Sequence, residues 1–220
     1  MTRCVIFDLD GTLADTSGDL IAAANHCFAA MGAATRLNPV ADAGTALRGG
    51  KAMLTLGLTR EGQYSAELVE RWYPELLLAY RRALDLHTRL YAGAMDAVEA
   101  LRADGVAVGI CTNKPEALAE DLLQKLGVRG AFASLIGADT LSTRKPDPAP
   151  YVASVEQAGG SVARSCLIGD TETDRKTALA VGVPCVLVTF GPGPSVHDLN
   201  PDATIDHFYE LPALVGRILT

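Results

Sequence analysis

The stretch Cys4-Val5-Ile6-Phe7-Asp8-Leu9-Asp10-Gly11-Thr12 decides how this chain is read: four apolar residues in a row, then two carboxylates and a glycine. An unbroken apolar run, unlike one alternating with polar residues, marks a strand covered on both faces, as in a parallel sheet with helical crossovers. Similar runs recur at 106–111, 135–136, 166–168 and Cys185–Val188, with helical patterns between them. The expected fold class is α/β. In such sheets ligands gather beyond the carboxyl ends of strands, so Asp8 and Asp10 stand where chemistry is expected. Two carboxylates two positions apart on an extended segment point to the same side, and Gly11 lets the chain turn directly after them.

Working outward, helices are expected over 95–103, ended by Asp104-Gly105, and over 115–126, with Pro115 in the first turn and Gly127 as the stop. Another follows Pro150 and ends at Gly159-Gly160, and one runs from near Thr173-Asp174 to Gly182. Residues 16–88 break the rhythm. They show helical patterns only, over 19–31, 46–56 and 65–86, with Pro74 marking a kink or junction. Between the first two strands lie about 95 residues, far more than one crossover helix needs. The expected organisation is a core of 1–15 and 89–220 with an inserted helical subdomain of 16–88, residues 90–103 returning the chain to the sheet layer.

Composition narrows the partners. The 220 residues are 49% apolar and 20% charged, which supports a buried core and excludes a disordered chain. Nineteen basic against twenty-six acidic residues leave a net charge of −7, so no overall cationic field attracts nucleic acid or an anionic membrane. An anionic ligand must therefore be met by a local device. Cys4, Cys27, Cys111, Cys166 and Cys185 are odd in number, lack CxxC spacing, and four sit in apolar runs. That pattern is reduced, core-packed cysteine, as in a cytoplasmic protein. Asp8 comes too early for the apolar stretch of a signal peptide. The uncharged stretch 177–196 is interrupted by Gly182, Pro184, Gly191, Pro192 and Pro194, and reads as a strand and a loop rather than a membrane span.

Three further motifs fall at or beside strand ends. In Ile110-Cys111-Thr112-Asn113-Lys114, Thr112 offers a hydroxyl, and the backbone N–H groups of a starting helix suit phosphate oxygens. In Arg144-Lys145-Pro146-Asp147-Pro148 the prolines stiffen the loop, which makes Lys145 a positioned charge. Gly169-Asp170-Thr171-Glu172-Thr173-Asp174 brings a second acidic pair, Asp170 and Asp174. Each has an ordinary counterpart: turn chemistry for Asp10-Gly11, a helix N-cap for Thr112, Thr173 or Asp174, and a solvated lysine for Lys145. Their joint order along successive strands is specific.

With these residues in place, the sequence resembles the haloacid dehalogenase superfamily, in its phosphatase branch with a helical cap after the first motif. Phe7-Asp8-Leu9-Asp10-Gly11-Thr12-Leu13 is similar to the family's first motif, Thr112 to the second, Lys145-Pro146 to the third, and Gly169-Asp170 with Asp174 to the fourth. Within the branch, Asp15-Thr16-Ser17-Gly18-Asp19-Leu20 and Lys145-Pro146-Asp147-Pro148 are most similar to phosphoglycolate phosphatase-like proteins. The resemblance implies a Rossmann-like parallel sheet, first strand central, helices on both faces, and the four motifs around one crevice. It also implies Mg²⁺ and an aspartyl-phosphate mechanism.

On that reading Asp8 is the nucleophile. A carboxylate nearing a phosphate is repelled by roughly 4 kcal/mol per charge pair at 4 Å and an effective dielectric of 20, so a cation must offset it. Asp8, Asp170 and the main-chain carbonyl of Asp10 are the expected hard-oxygen ligands of Mg²⁺, with Asp174 acting behind them on a bound water or on Lys145. Lys145, Thr112 and Asn113 are expected to hold the transferring group. Asp10 is the expected general acid and base. Its presence argues against dehalogenation, since a halide leaves without a proton. Arg48 and Lys51, in the glycine-bearing Leu47-Arg48-Gly49-Gly50-Lys51, are the expected contacts to a second anionic group of the substrate. The expected partner is a small phosphate ester, with no nucleic acid or membrane, and the chain is expected to be a monomer or homodimer. A phosphomutase on the same scaffold carries the same motifs. A phospho-aspartate receiver module shares residue types but places them in another order and lacks the insertion, and a protein with a dead site is disfavoured because no motif position is substituted.

Overall fold

The structure is a computed structural model that describes residues 2–193 and 195–220; Met1 and Pro194, one of the interruptions noted in 177–196, lie outside it. The chain forms two compact units, one of residues 1–14 with 90–220 and the other of residues 15–89.

The first unit is built on a six-stranded parallel sheet. Its strands are β1 (Cys4–Phe7), β4 (Ala107–Cys111), β5 (Ser134–Ile136), β6 (Ser165–Gly169), β7 (Cys185–Val188) and β8 (Ala203–Ile205). The order is β5-β4-β1-β6-β7-β8, so the first strand lies inside the sheet, flanked by β4 and β6. Two short strands, β2 (Ala14–Asp15) and β3 (Arg89–Leu90), pair where the chain leaves and re-enters this unit.

Every residue of β1 is buried, as its unbroken apolar run requires. The alternating side chains meet two different layers. On one face Cys4 and Ile6 join a core cluster with Tyr151 and Val155 of α7 (Pro148–Gln157) and Ala178 of α8 (Glu172–Val181). On the other, Phe7 meets Phe208, which precedes α9 (Leu211–Ile218). The helix α9 in turn packs on α5 (Ala94–Ala103). Helix α6 (Glu116–Lys125) starts one residue later than expected, with Pro115 as its N-cap rather than in its first turn.

Residues 15–89 hold α1 (Ser17–Met31), α2 (Ala43–Ala46), α3 (Gly50–Arg60) and α4 (Ala66–Arg82). Three expectations need correction here. The helix expected over 46–56 is two helices, because the chain breaks at Leu47-Arg48-Gly49, where Gly49 takes φ +94°. Pro74 is no junction between helices: α4 runs through it, at an exposed position where water can serve the carbonyl it leaves unpaired. The same helix stops at Arg82, short of Leu86. This unit is clasped at its own two ends. Asp19, buried on α1, accepts from the backbone N–H groups of His87 and Thr88 and from the Thr88 hydroxyl. Gly18 keeps that approach open, since a Cβ there would stand 2.7 Å from Cβ of His87.

Sequence reading missed β8 and α9. β8 is a three-residue edge strand with only Ile205 buried, set between Asp202 and Asp206, so no apolar run announces it. All five cysteines are free and buried. Among the described residues, no helix is long and apolar enough to cross a membrane.

Candidate active site

The register of β1 on β6 brings Phe7 opposite Ile168, and the N–H of Asp8 donates to the Ile168 carbonyl at 2.8 Å. Asp8 and Asp170 therefore emerge from neighbouring strand ends. Gly11, at φ +81°, turns the chain back at once, closed by its N–H on the Ala14 carbonyl at 2.8 Å. Thr12 lies inside that turn, and its hydroxyl donates to Oδ1 of Asp170 at 2.8 Å. The Asp8 carboxylate accepts from the N–H of Leu9 at Oδ1, 2.7 Å.

Lys145 enters from the loop before α7. Its Nζ lies 2.7 Å from Oδ1 of Asp174 and 3.1 Å from Oδ2 of Asp8, with the lysine side chain 1% exposed. Asp174 works with both oxygens. Oδ2 accepts from the hydroxyl and N–H of Thr171 and the N–H of Asp170, forming the capping box of α8, while Oδ1 faces Lys145. Only a glycine fits before it: a Cβ at position 169 would stand 2.3 Å from Cγ of Asp174.

The third approach is from β4. Thr112 extends the pairing by donating its N–H to the Ile136 carbonyl at 2.9 Å, and its hydroxyl oxygen accepts from the N–H of Lys114 at 3.2 Å. The Asn113 amide donates to the Lys145 carbonyl at 3.0 Å, so the two loops are tied together. Lys114 folds inward, its Nζ 2.6 Å from Oδ1 of Asp10.

Residues 5–188 match the family described as haloacid dehalogenase-like hydrolase. A phosphoglycolate phosphatase of Agrobacterium fabrum is 38% identical over 227 residues, covering 100% of this chain and 95% of that one. This chain belongs to the haloacid dehalogenase-like hydrolases. A second phosphoglycolate phosphatase, of Mesorhizobium japonicum, is 36% identical to the hydrolase over 210 residues, with 93% and 90% of the two chains covered. A solved structure from Lactobacillus delbrueckii subsp. bulgaricus, 24% identical, superposes with a TM-score of 0.86 over 98% of the hydrolase and 99% of its own chain, a likeness of fold.

The electrostatics of the hydrolase centre on three carboxylates around one ammonium. One oxygen from each of Asp8, Asp170 and Asp174 lies within 4.8 Å of the others. Burial pushes the Asp8 carboxyl up to about 6; Lys145 opposes that shift, and Asp174 and Asp10 add to it. Burial likewise carries Asp170 well above the usual carboxylate range, with repulsion from Asp174 and Asp8 adding to it. For Lys145 burial alone would lower the pKa, but Asp174 and Asp8 outweigh it and hold the ammonium charged. Excess negative charge on hard oxygens in a water-poor place fits a small divalent cation. Asp174, with both oxygens engaged, fits the role of holding Lys145 rather than that of a ligand.

The structure gathers Asp8, Asp10, Thr112, Asn113, Lys145, Asp170 and Asp174 in the unit of 1–14 and 90–220. Arg48 and Lys51 belong to the other unit. There Arg48 donates to the Thr45 hydroxyl at 3.1 Å, and Lys51 bonds Glu70 at 2.5 and 2.8 Å while lying 5.0 Å from the Tyr73 ring centre. Sequence reading passed over two residues of the hydrolase site, Thr12 and Lys114. Both stand in motifs it quoted, but a hydroxyl in a turn and a lysine before a helix read as solvated until burial is known.

Proposed function

We propose that this hydrolase is a Mg²⁺-dependent phosphatase of a small phosphate monoester, phosphoglycolate or a similar organic phosphate, acting through an aspartyl-phosphate on Asp8. The observation that carries it is the buried Asp8 carboxylate beside Lys145, in a cluster whose unbalanced negative charge calls for a cation. The names of its relatives over nearly their full length support hydrolysis rather than phosphoryl transfer between sugar positions.

In this reading the Asp8 carboxylate attacks phosphorus, and the ester P–O bond breaks. Lys145 neutralises the transferring group. The Thr112 hydroxyl, whose oxygen accepts from the N–H of Lys114, keeps its proton to donate to a phosphoryl oxygen. Asp10 protonates the leaving oxygen, then takes the proton of the water that attacks the acyl phosphate. Asp8, Asp170 and the main-chain carbonyl of Asp10 would hold Mg²⁺, whose chemistry there is to offset the charge between nucleophile and phosphate. Asp174 keeps Lys145 in place, and Thr12 fixes the rotamer of Asp170. Five buried free thiols suit a reducing compartment, in keeping with a cytoplasmic enzyme.

A panel of phosphoglycolate, sugar phosphates and nucleoside monophosphates, assayed for released phosphate with Mg²⁺ and with chelator, tests the reading. Turnover is expected with Mg²⁺ and none with chelator. Arg48→Ala is expected to shift the order of preference within the panel while leaving the cleavage chemistry in place, since Arg48 is proposed to meet a second anionic group. Isomerised product without phosphate release would favour the mutase, and turnover untouched by chelator would overturn the metal assignment.

The metal makes a second prediction that needs no turnover. The Asp8 pKa in the metal-free fold, about 6 against an ordinary 3.8, means that the folded state binds this proton more tightly than the unfolded one. Its contribution to stability therefore falls as pH rises from the ordinary value through the folded one. Mg²⁺ removes that penalty only when the carboxylate is charged. The rise in Tm on adding Mg²⁺ is expected to be larger near about pH 7.5 than near about pH 4.5. Equal shifts at both would contradict Asp8 as a ligand.

A further inference from the structure

We infer that Lys114 is a positioning residue for proton transfer: its ammonium holds the Asp10 carboxyl at the leaving oxygen of the ester and stabilises the carboxylate left when the proton has gone. The inference rests on the phosphatase reading above.

The pair is short and partly buried, Nζ to Oδ1 2.6 Å, with the lysine and aspartate side chains 4% and 14% exposed. A lysine is ordinarily a poor anchor because its stem has many rotamers. Here the loop that carries it is fixed on both sides. The N–H of Lys114 donates to the Thr112 hydroxyl oxygen, and its carbonyl accepts from the N–H of Ala138 at 2.9 Å. Burial then immobilises the stem itself. Asp10 sits in the tight turn after β1, bridged to Ala14, which sets its backbone. A charge-assisted hydrogen bond from Lys114 to Oδ1 narrows the side-chain torsions further.

The division of labour between the two lysines points the same way. Lys145 serves Asp8 and Asp174, the attacking group and its support. Lys114 serves Asp10, the proton carrier. As the bond from Asp8 to phosphorus forms, the ester P–O bond breaks and its electron pair stays on the leaving oxygen. That oxygen takes the proton from the carboxyl of Asp10, whose Oδ1 is held by Lys114. Asp10 gains negative charge during this step, and an ammonium already in place lowers the energy of that change without having to move. Proton transfer needs the two heavy atoms within about 3 Å, so a carboxyl free to rotate away donates poorly.

The test compares two esters by kcat/KM, which reports the steps through the first P–O cleavage. One is an alkyl phosphate, phosphoglycolate first, whose alkoxide must be protonated as it leaves. The other is p-nitrophenyl phosphate, whose phenolate leaves without a proton. Lys114→Met is expected to lower kcat/KM for the alkyl ester about 100-fold, and for the aryl ester at least about tenfold less than that. In an Asp10→Asn background the same substitution should add nothing on the alkyl ester, because the group it positions is gone. Lys114→Arg, which keeps a cation at the position, should hold the ratio of the two esters within about threefold of wild type. Equal losses on both esters, an additive loss in the Asp10→Asn background, or an arginine variant that loses the alkyl ester as the methionine variant does would each overturn the inference. Wild-type protein that cleaves neither ester would overturn the phosphatase reading itself and this inference with it.

Discussion

Asp8→Asn is expected to lower kcat by at least about 10⁴-fold on every ester the enzyme accepts, while the protein stays folded. Asparagine matches aspartate in size, and its carbonyl oxygen can still accept from the N–H of Leu9. Its amide is no nucleophile, so no bond to phosphorus forms. The substitution also removes a buried charge that Asp174 and Asp10 repel, which works against the lost attraction to Lys145. Stability is therefore expected to change little even though turnover disappears. Rapid quench followed by mass measurement should show a transient phosphoryl adduct in the wild type and none in the variant. Full activity in Asp8→Asn would mean that another group attacks phosphorus.

Lys145→Met is expected to damage stability and catalysis together. The lysine side chain is 1% exposed and lies between Asp174 and Asp8, so removing its charge leaves two buried carboxylates facing one another. Breaking a buried pair from one side costs about 3–5 kcal/mol, because the remaining charge cannot be hydrated. Unfolding in urea without Mg²⁺ should show that loss directly. On the catalytic side, kcat should fall by about 10³-fold, since the transferring group loses its fixed cation. A variant as stable as wild type would contradict the pairing, and one as active would remove Lys145 from the mechanism. Loss of kcat with stability intact would assign the lysine to the phosphoryl group alone.

The legible parts of this protein are those in which one physical cause leaves one pattern. Cys4–Phe7 is buried on both faces, and such a strand has no position for a polar residue, so its identity is visible in four letters. Prolines and glycines at helix ends are just as direct: Pro115 precedes α6 and Gly182 closes α8 in the left-handed region. Legibility failed where the cause was a neighbour. Pro74 reads as a break, yet an exposed proline costs a helix less than packing along α4 returns, where Leu76 and Tyr80 are fully buried. β8 is held by backbone bonds to β7, with little apolar surface of its own to announce it.

The candidate site divides in the same way. That carboxylates, a hydroxyl and a lysine stand at or beside the ends of successive strands was determined by the sequence, because parallel strands all point their carboxyl ends toward one edge; that Asp8, Thr112 and Asp170 leave neighbouring strands follows from the sheet order β4-β1-β6. What each charge does there was decided by the tertiary structure. An aspartate at the third position of a helix caps that helix whether or not a lysine is near, and only the loop that buries Lys145 turns one oxygen of Asp174 toward the site. A lysine before a helix is solvated by default, and only a fixed loop and a covered stem make Lys114 the partner of Asp10. Residue type sets which charges exist, but the strength of a charge depends on how much water surrounds it, and exclusion of water is a property of the folded chain.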